Sequence, residues 1–402
     1  MKKILRVVFI AAGMVSMAAG AALGETIKIG NMSSYSSNPQ STAAYRKGWE
    51  LAVKQINEQG GVMGKTLEVV TRDDTGKPDA ALRAAQEMVT KEGVVLLAGT
   101  YLSHVAVAVS DFAKSNKTFF LVGQPQSDTI IWEKGNRYTF RLFNSQYSQV
   151  SALARMAAAL PAKRWATIAP NYEFGQSAVN GFRSELQRLR PDVEFVNEQW
   201  PTLGKLEAGA TVQAMRAARP DAIFNATFGA DLAKFVREGN MRGLFEGREV
   251  YSVITGLPEY LEPLGEETPV GWTVTGYPAT QIDTPEHKAF LSAYEKAYGE
   301  TPKVGSLIGY TEILAIKAII EKAGKTDTES LIDAAVKVKF DTPVGKLGFR
   351  AQDHQSTFGF YIGKLAVEGG KGKMVDWKFY DGADYQPTDD YVRSRRPANA
   401  DD

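Results

Sequence analysis

From residue 27 to residue 277, short apolar runs with few charges alternate with segments of helical periodicity. Strands of that composition are stable only when helices cover both faces of their sheet, so the alternation constrains the fold more than any other feature. Strands are expected at 27–32, 66–72, 94–99, 118–122, 165–169, 193–199, 222–227, 250–255 and 272–277. Between the first two, Tyr45, Trp49, Ala52, Val53 and Ile56 recur at helical spacing, and Gly60-Gly61 supplies the stop. In 80–89, Leu82, Ala85, Met88 and Val89 share one face. The pattern reads as α/β, doubly wound with right-handed crossovers. It is too long for one comfortable core, so two such domains are expected. The last stretch, rich in Asp, Arg, Pro and Ala, reads as a loose tail.

The N-terminus carries Lys2, Lys3 and Arg6, then an uncharged run from Val7 to Leu23 ending at Ala22-Leu23-Gly24. This reads as a secretory signal peptide over 1–24, the alternative being a membrane anchor. The run is short and diluted by Gly and Ala for an anchor, since about 20 strongly apolar residues span a bilayer. Cleavage removes three positive charges and takes the formal net charge from +1 to −2. Neither value drives association with nucleic acid or an anionic membrane.

Several chemistries lack their residues. There is no cysteine, and the three histidines (His104, His287, His354) are too widely spaced for a His-rich metal centre. No P-loop, GxGxxG, GxSxG or HExxH is present. Ser103-His104 are neighbours in sequence, which does not make a catalytic triad. Asp73-Asp74 reads as a solvated strand end with turn-forming carboxylates rather than a metal pair. A non-enzymatic, exported binding protein without metal or cofactor is expected.

Seven segments carry a resemblance, in order along the chain. They are IKIGNMSS, AVKQINEQGGVMGKTLEVVTRDD, VVLLAGTYLSHVAVAVSDFAKSNKTFFLVG, YTFRLFNSQYSQ, RWATIAPNYEFGQSAVNGF, PDAIFNATFGADLAKFVREGNMRG and FDTPVGKLGFRAQDHQSTFGFYIGK. Together they resemble the periplasmic solute-binding proteins of branched-chain-amino-acid ABC transporters, from about Ile27 to Lys364. The resemblance implies a type I periplasmic-binding-protein fold: two doubly wound α/β lobes joined by three crossing strands. Lobe one would hold 25–143 plus 276–349, and lobe two 144–275 plus 350–402. It also implies a small organic carboxylate or amino acid as ligand, an ABC permease in the inner membrane as partner, a periplasmic location and a monomer. A sensing subunit of a signalling system remains an alternative, with an exported hydrolase a weaker one.

The resemblance assigns site residues. Ser103 matches the hydroxyl that holds the ligand carboxylate, and a helix N-terminus suits an anion; simple N-capping is the alternative. Gln124 and Gln126 stand at the next strand's end, where the family has small residues. Phe174 and Phe228 match aromatic positions of the cleft, with Tyr172 near the first and core packing as the alternative, and Tyr101 is a further ring available to the ligand. Tyr35, Ser41 and Thr42 in the first loop are weaker matches. Arg141 is expected to pair locally, and Asp231 to cap its helix. Where the amino-acid binders carry an acid, VYSVITGLPEY offers Ile254 and Thr255. With that acid missing and Tyr277 added to the rings, an aromatic carboxylate without an α-ammonium is expected, the alternative being that Asp231 or Glu259 swings into the cleft and restores the charge.

Overall fold

The computed structural model describes residues 25–400, so the signal-peptide expectation for 1–24 lies outside the described residues. All nine expected strands form: β1 (Thr26–Ser33), β2 (Thr66–Asp73), β3 (Leu96–Gly99), β4 (Phe120–Val122), β6 (Arg164–Ile168), β7 (Glu194–Gln199), β8 (Ala222–Asn225), β9 (Glu249–Gly256) and β10 (Thr273–Gly276). Five more were not anticipated: β5 (Thr139–Arg141), β11 (Lys339–Thr342), β12 (Gly345–Gly348), β13 (Phe360–Glu368) and β14 (Lys371–Tyr380). The last two are an antiparallel hairpin turning at Gly369-Gly370, both with positive φ. Such a turn favours Gly at both central positions. One face of β14 is largely open to solvent, so its sequence is mixed rather than apolar.

Two sheets organise the chain. The first is parallel throughout, in the order β2-β1-β3-β4-β5. The second has the order β14-β13-β10-β9-β8-β6-β7, parallel from β10 to β7 and closed at its other edge by the hairpin. The helix expected near 43–57 spans Pro39–Glu58, and the one at 80–89 spans Pro78–Glu87 before a wider π-type turn at Met88–Glu92. The helix Pro39–Glu58 packs along the helix Val304–Ala323 at backbone contact. A Cβ on Gly48 would lie 2.1 Å from the Ser306 carbonyl oxygen, and one on Gly309 would lie 2.2 Å from that of Tyr45. That approach carries Val304 and Ile308 to the boundary between the two sheets.

The chain leaves the first sheet after β5, returns after β10, and crosses again beyond β12 to reach β13. The first and third crossings lie side by side, with Arg141 N donating to His354 O and Ser356 N donating to Arg141 O.

The C-terminal segment corrects the expectation of a loose tail. Tyr385 packs on Phe360 of the second sheet, with the Arg155 guanidinium over its ring. Tyr391 then sits between Trp132 and Tyr147, at ring-centroid distances of 5.5 and 5.4 Å. Arg395 pairs with Glu133, and the Ala400 carbonyl accepts from Arg137 N, both near the first sheet. Aromatic contacts and ion pairs thus carry the tail across the boundary a fourth time. Composition alone hid this, because the ordering residues are single rings and charges in a polar stretch.

Candidate ligand-binding site

The C-terminal ends of strands from both sheets meet around a cavity of about 530 Å3, its mouth included. Open α/β sheets hold ligands beyond their strand C-termini. From the first sheet, β3 leads through Tyr101 into the helix Ser103–Asn116, and β4 leads into Gln124, Pro125 and Gln126. From the second, β6 leads to Tyr172 and Phe174, β8 to Phe228, and β9 to Ile254, Leu257, Glu259 and Tyr260.

Ser103 is the first residue of its helix and is buried at the cavity wall. Leu102 occupies the N-cap position and makes no side-chain capping bond, so Ser103 stands one place inside the helix rather than at its cap. The hydroxyl is therefore available, beside helix N–H groups that have no intrahelical acceptor. An anion placed there meets aligned donors and the positive end of the helix.

The facing wall is aromatic. Phe174 meets Phe228 edge-on at 5.7 Å, Phe228 lies 6.4 Å from Tyr260, and Tyr172 lies 6.1 Å from Phe174. Tyr101 Oη donates to Ser41 Oγ at 3.2 Å and lies 3.5 Å from Tyr260 Oη, linking the two walls. Burial holds the Tyr101, Tyr172 and Tyr260 phenols above their ordinary range, so all three stay neutral. Two β-branched residues at the strand ends adopt left-handed backbone, Thr100 at φ 66° and Ile254 at φ 56°. Such geometry costs ~1–3 kcal/mol and persists only where surroundings impose it. Thr100 N donates to Met32 O, and Ile254 N donates to Thr275 Oγ1 at 2.8 Å.

Several expected site residues lie elsewhere. Tyr35 donates to Asn31 Oδ1 at 2.8 Å and accepts from Trp49 Nε1 at 3.2 Å, within the first layer and off the cavity. Thr255 is buried behind the wall, its hydroxyl 2.6 Å from Ser252 Oγ. Its neighbour Ile254 takes the cavity side, and successive strand residues point to opposite faces. Tyr277 bonds His287 Nε2 at 2.7 Å, and Thr42 donates to the Asn38 carbonyl. Asp231 does not cap its own helix; it accepts from Gly204 N and Leu206 N and so holds that loop. Asp74 is buried rather than solvated and takes the Ser34 hydroxyl at 2.6 Å, while both Asp73 and Asp74 accept turn N–H groups. Among the described residues no group of three His, Asp or Glu could hold a metal.

Sequence reasoning missed Tyr260 as a wall residue and named Glu259 only as an acid that could swing into the cleft. Their signal was Pro258 just after a strand end, where Pro at the first helical turn aims the next residues back at the strand termini. Glu259 is buried, its Oε1 accepts Gly305 N at 2.9 Å, and its carbonyl accepts from Gln40. Burial pushes its carboxyl up, and the Gly305 N–H partly offsets this.

Residues 26–372 match the family of periplasmic binding proteins. A leucine-, isoleucine-, valine-, threonine- and alanine-binding protein of Pseudomonas aeruginosa is 23% identical, over 79% of this chain and 83% of its own length. Leu/Ile/Val-binding protein homolog 6 of Brucella abortus is 25% identical, over 90% and 93%. Among solved structures, a solute-binding protein of an ABC transporter from Rhodopseudomonas palustris HaA2, in complex with p-hydroxybenzoic acid, superposes with a TM-score of 0.79 at 24% identity, covering 90% of this chain and 98% of that one. The closed leucine-, isoleucine-, valine-, threonine- and alanine-binding protein of Brucella ovis also gives 0.79, at 18% identity and 91% and 97% coverage. With strand ends of two doubly wound sheets meeting at one cavity, and a family match over most of its length, the chain belongs to the periplasmic binding protein family.

Proposed function

We propose that this protein is the extracytoplasmic solute-binding component of an ABC importer, exported by residues 1–24 and acting as a monomer. It captures an aromatic carboxylate between two lobes, 25–143 plus 276–349 and 144–275 plus the chain from 350 to about 388, with the C-terminal tail returning to the first lobe, and delivers it to the permease. The observation that carries this reading is the free hydroxyl and helix N-terminus at Ser103 facing a wall of rings across one cavity. A sensing role would use the same site with a different partner. The ligands of the relatives, p-hydroxybenzoic acid in one and leucine, isoleucine, valine, threonine and alanine in another, bracket the choice.

The acid that the strand end VYSVITG lacks stands three residues further on, as Glu259. Burial pushes its carboxyl up and so weakens it as a counter-charge for an ammonium, and one oxygen is already engaged by Gly305. A neutral carboxyl leaves a buried ammonium uncompensated, at a cost of several kcal/mol. A ring needs only apolar walls and edge contacts of about 0.5–1.5 kcal/mol each.

Titration calorimetry of benzoate-type acids against leucine, isoleucine, valine and phenylalanine tests this. Binding of the aromatic acids is expected, weakened by about 1–3 kcal/mol in Ser103→Ala through loss of a hydrogen bond to a charged group. Binding of the amino acids with none for the aromatic acids contradicts the ligand class. Unchanged affinity in a folded Ser103→Ala removes the serine from the anion site.

A further inference from the structure

Three acceptor atoms on residues of the cavity wall are buried and have no hydrogen-bond partner: Gln124 Oε1, Gln126 Oε1 and Glu259 Oε2. Each of the three residues is at least nine-tenths buried. Buried polar atoms are nearly always paired, so three orphans around one cavity describe what its occupant must bring. They come from both walls, the glutamines after β4 and the glutamate after β9.

The orientation of Gln126 follows from its neighbours. The Gly359 carbonyl can only accept, so Asn144 must present Nδ2 to it, at 3.2 Å. Asn144 Oδ1 is then an acceptor, and it receives Gln126 Nε2 at 3.2 Å and Gln149 Nε2 at 2.9 Å. The Gln126 amide is thereby fixed with its oxygen left over. Glu259 is fixed in the same way, with Oε1 on Gly305 N and Oε2 left over.

We infer that the ligand is a hydroxylated aromatic carboxylate, and that Gln124, Gln126 and Glu259 are the residues that select it. This rests on the reading above that the cavity takes aromatic carboxylates. The carboxylate lies at Ser103, the ring against Phe174 and Phe228, and ring hydroxyls donate to the orphaned oxygens. A hydroxyl suits Glu259 in either protonation state, because it both donates and accepts. An ammonium suits only the ionised form, which burial disfavours. An unsubstituted ring satisfies none of the three atoms. A site built to bond a hydroxyl strongly rejects the analogue that lacks it, because its own buried groups stay unpaired.

The experiment is titration calorimetry of the whole chain with benzoate, 4-hydroxybenzoate, 3,4-dihydroxybenzoate and leucine. The hydroxylated acids are expected to bind at least about tenfold tighter than benzoate. In Gln126→Leu and Glu259→Gln the ratio of hydroxybenzoate to benzoate affinity is expected to fall toward one. If a variant does not fold, the ranking with the unmodified protein still decides. Benzoate binding as tightly as both hydroxylated acids overturns the inference and leaves the aromatic-carboxylate reading standing. Leucine binding with no response to any of the three acids overturns that reading, and the inference with it. Hydroxyl preference intact in both variants removes the selecting role from these residues.

Discussion

Arg141→Ala is expected to cost about 3–5 kcal/mol of stability, the effect of stripping one partner from a buried ion pair. Arg141 is wholly buried, with Nη2 on Asp128 Oδ1 at 2.8 Å, Nη1 on the Gln126 and Ser127 carbonyls at 2.6 Å, and Nε on Gln355 Oε1. Alanine leaves a buried carboxylate and three further acceptors facing a void. It also unties the first crossing from the third, since Gln355 lies in the latter. At ~2.1 cal/mol/K of unfolding entropy per residue, the melting temperature falls by about 4–6 °C. Differential scanning calorimetry reads this directly, and an unchanged transition removes Arg141 as the tie between crossings.

Glu312→Gln is expected to act in the opposite direction. Glu312 lies unexposed on the helix Val304–Ala323, accepts the Tyr45 hydroxyl at Oε2 and leaves Oε1 unpartnered. Burial pushes its carboxyl from 4.5 up to about 8. The folded protein therefore binds a proton that the unfolded chain releases, and folding stability declines as pH rises from about 4.5 toward 8. At pH 7 the loss amounts to about 3 kcal/mol, at 1.36 kcal/mol per unit. Glutamine cannot ionise and still accepts from Tyr45. Thermal melts from pH 4.5 to 8 should show the variant near the parent at the acid end and well above it at the alkaline end. A constant offset across that range contradicts a neutral, buried Glu312.

The parts of the fold legible in the sequence are those where one physical pattern acts alone. Strands such as β3 and β8 are buried on both faces, so their composition is apolar but for Asn225 at the end of β8. The helix Pro39–Glu58 keeps its buried face at helical spacing. By contrast, β5 is three residues long, and β14 buries only Met374 of its ten residues, so neither carries a run to detect. The site divides on the same principle. Residues just after strand ends, such as Ser103, Gln124 and Phe228, reach the cavity because doubly wound topology puts those ends there. The side a residue faces is a matter of parity, which placed Ile254 on the wall and Thr255 behind it. Tyr35 stands at a strand end too, but Asn31 and Trp49 hold it in the layer. Glu259 needed the direction of a short helix, which only tertiary packing supplies.

Closure of two lobes over the ligand is the central claim. Polar contacts across the boundary run from Gln40 and Gly305 to Glu259, from Tyr101 to Tyr260, from Lys303 to Glu262 and from Ser177 to Asp128. Such contacts break at modest cost, so ligand binding can shift the population toward the closed form. Small-angle X-ray scattering, with and without a saturating aromatic acid that calorimetry shows to bind, tests this most directly. The account predicts a smaller radius of gyration with ligand bound. An identical radius in the two samples contradicts it.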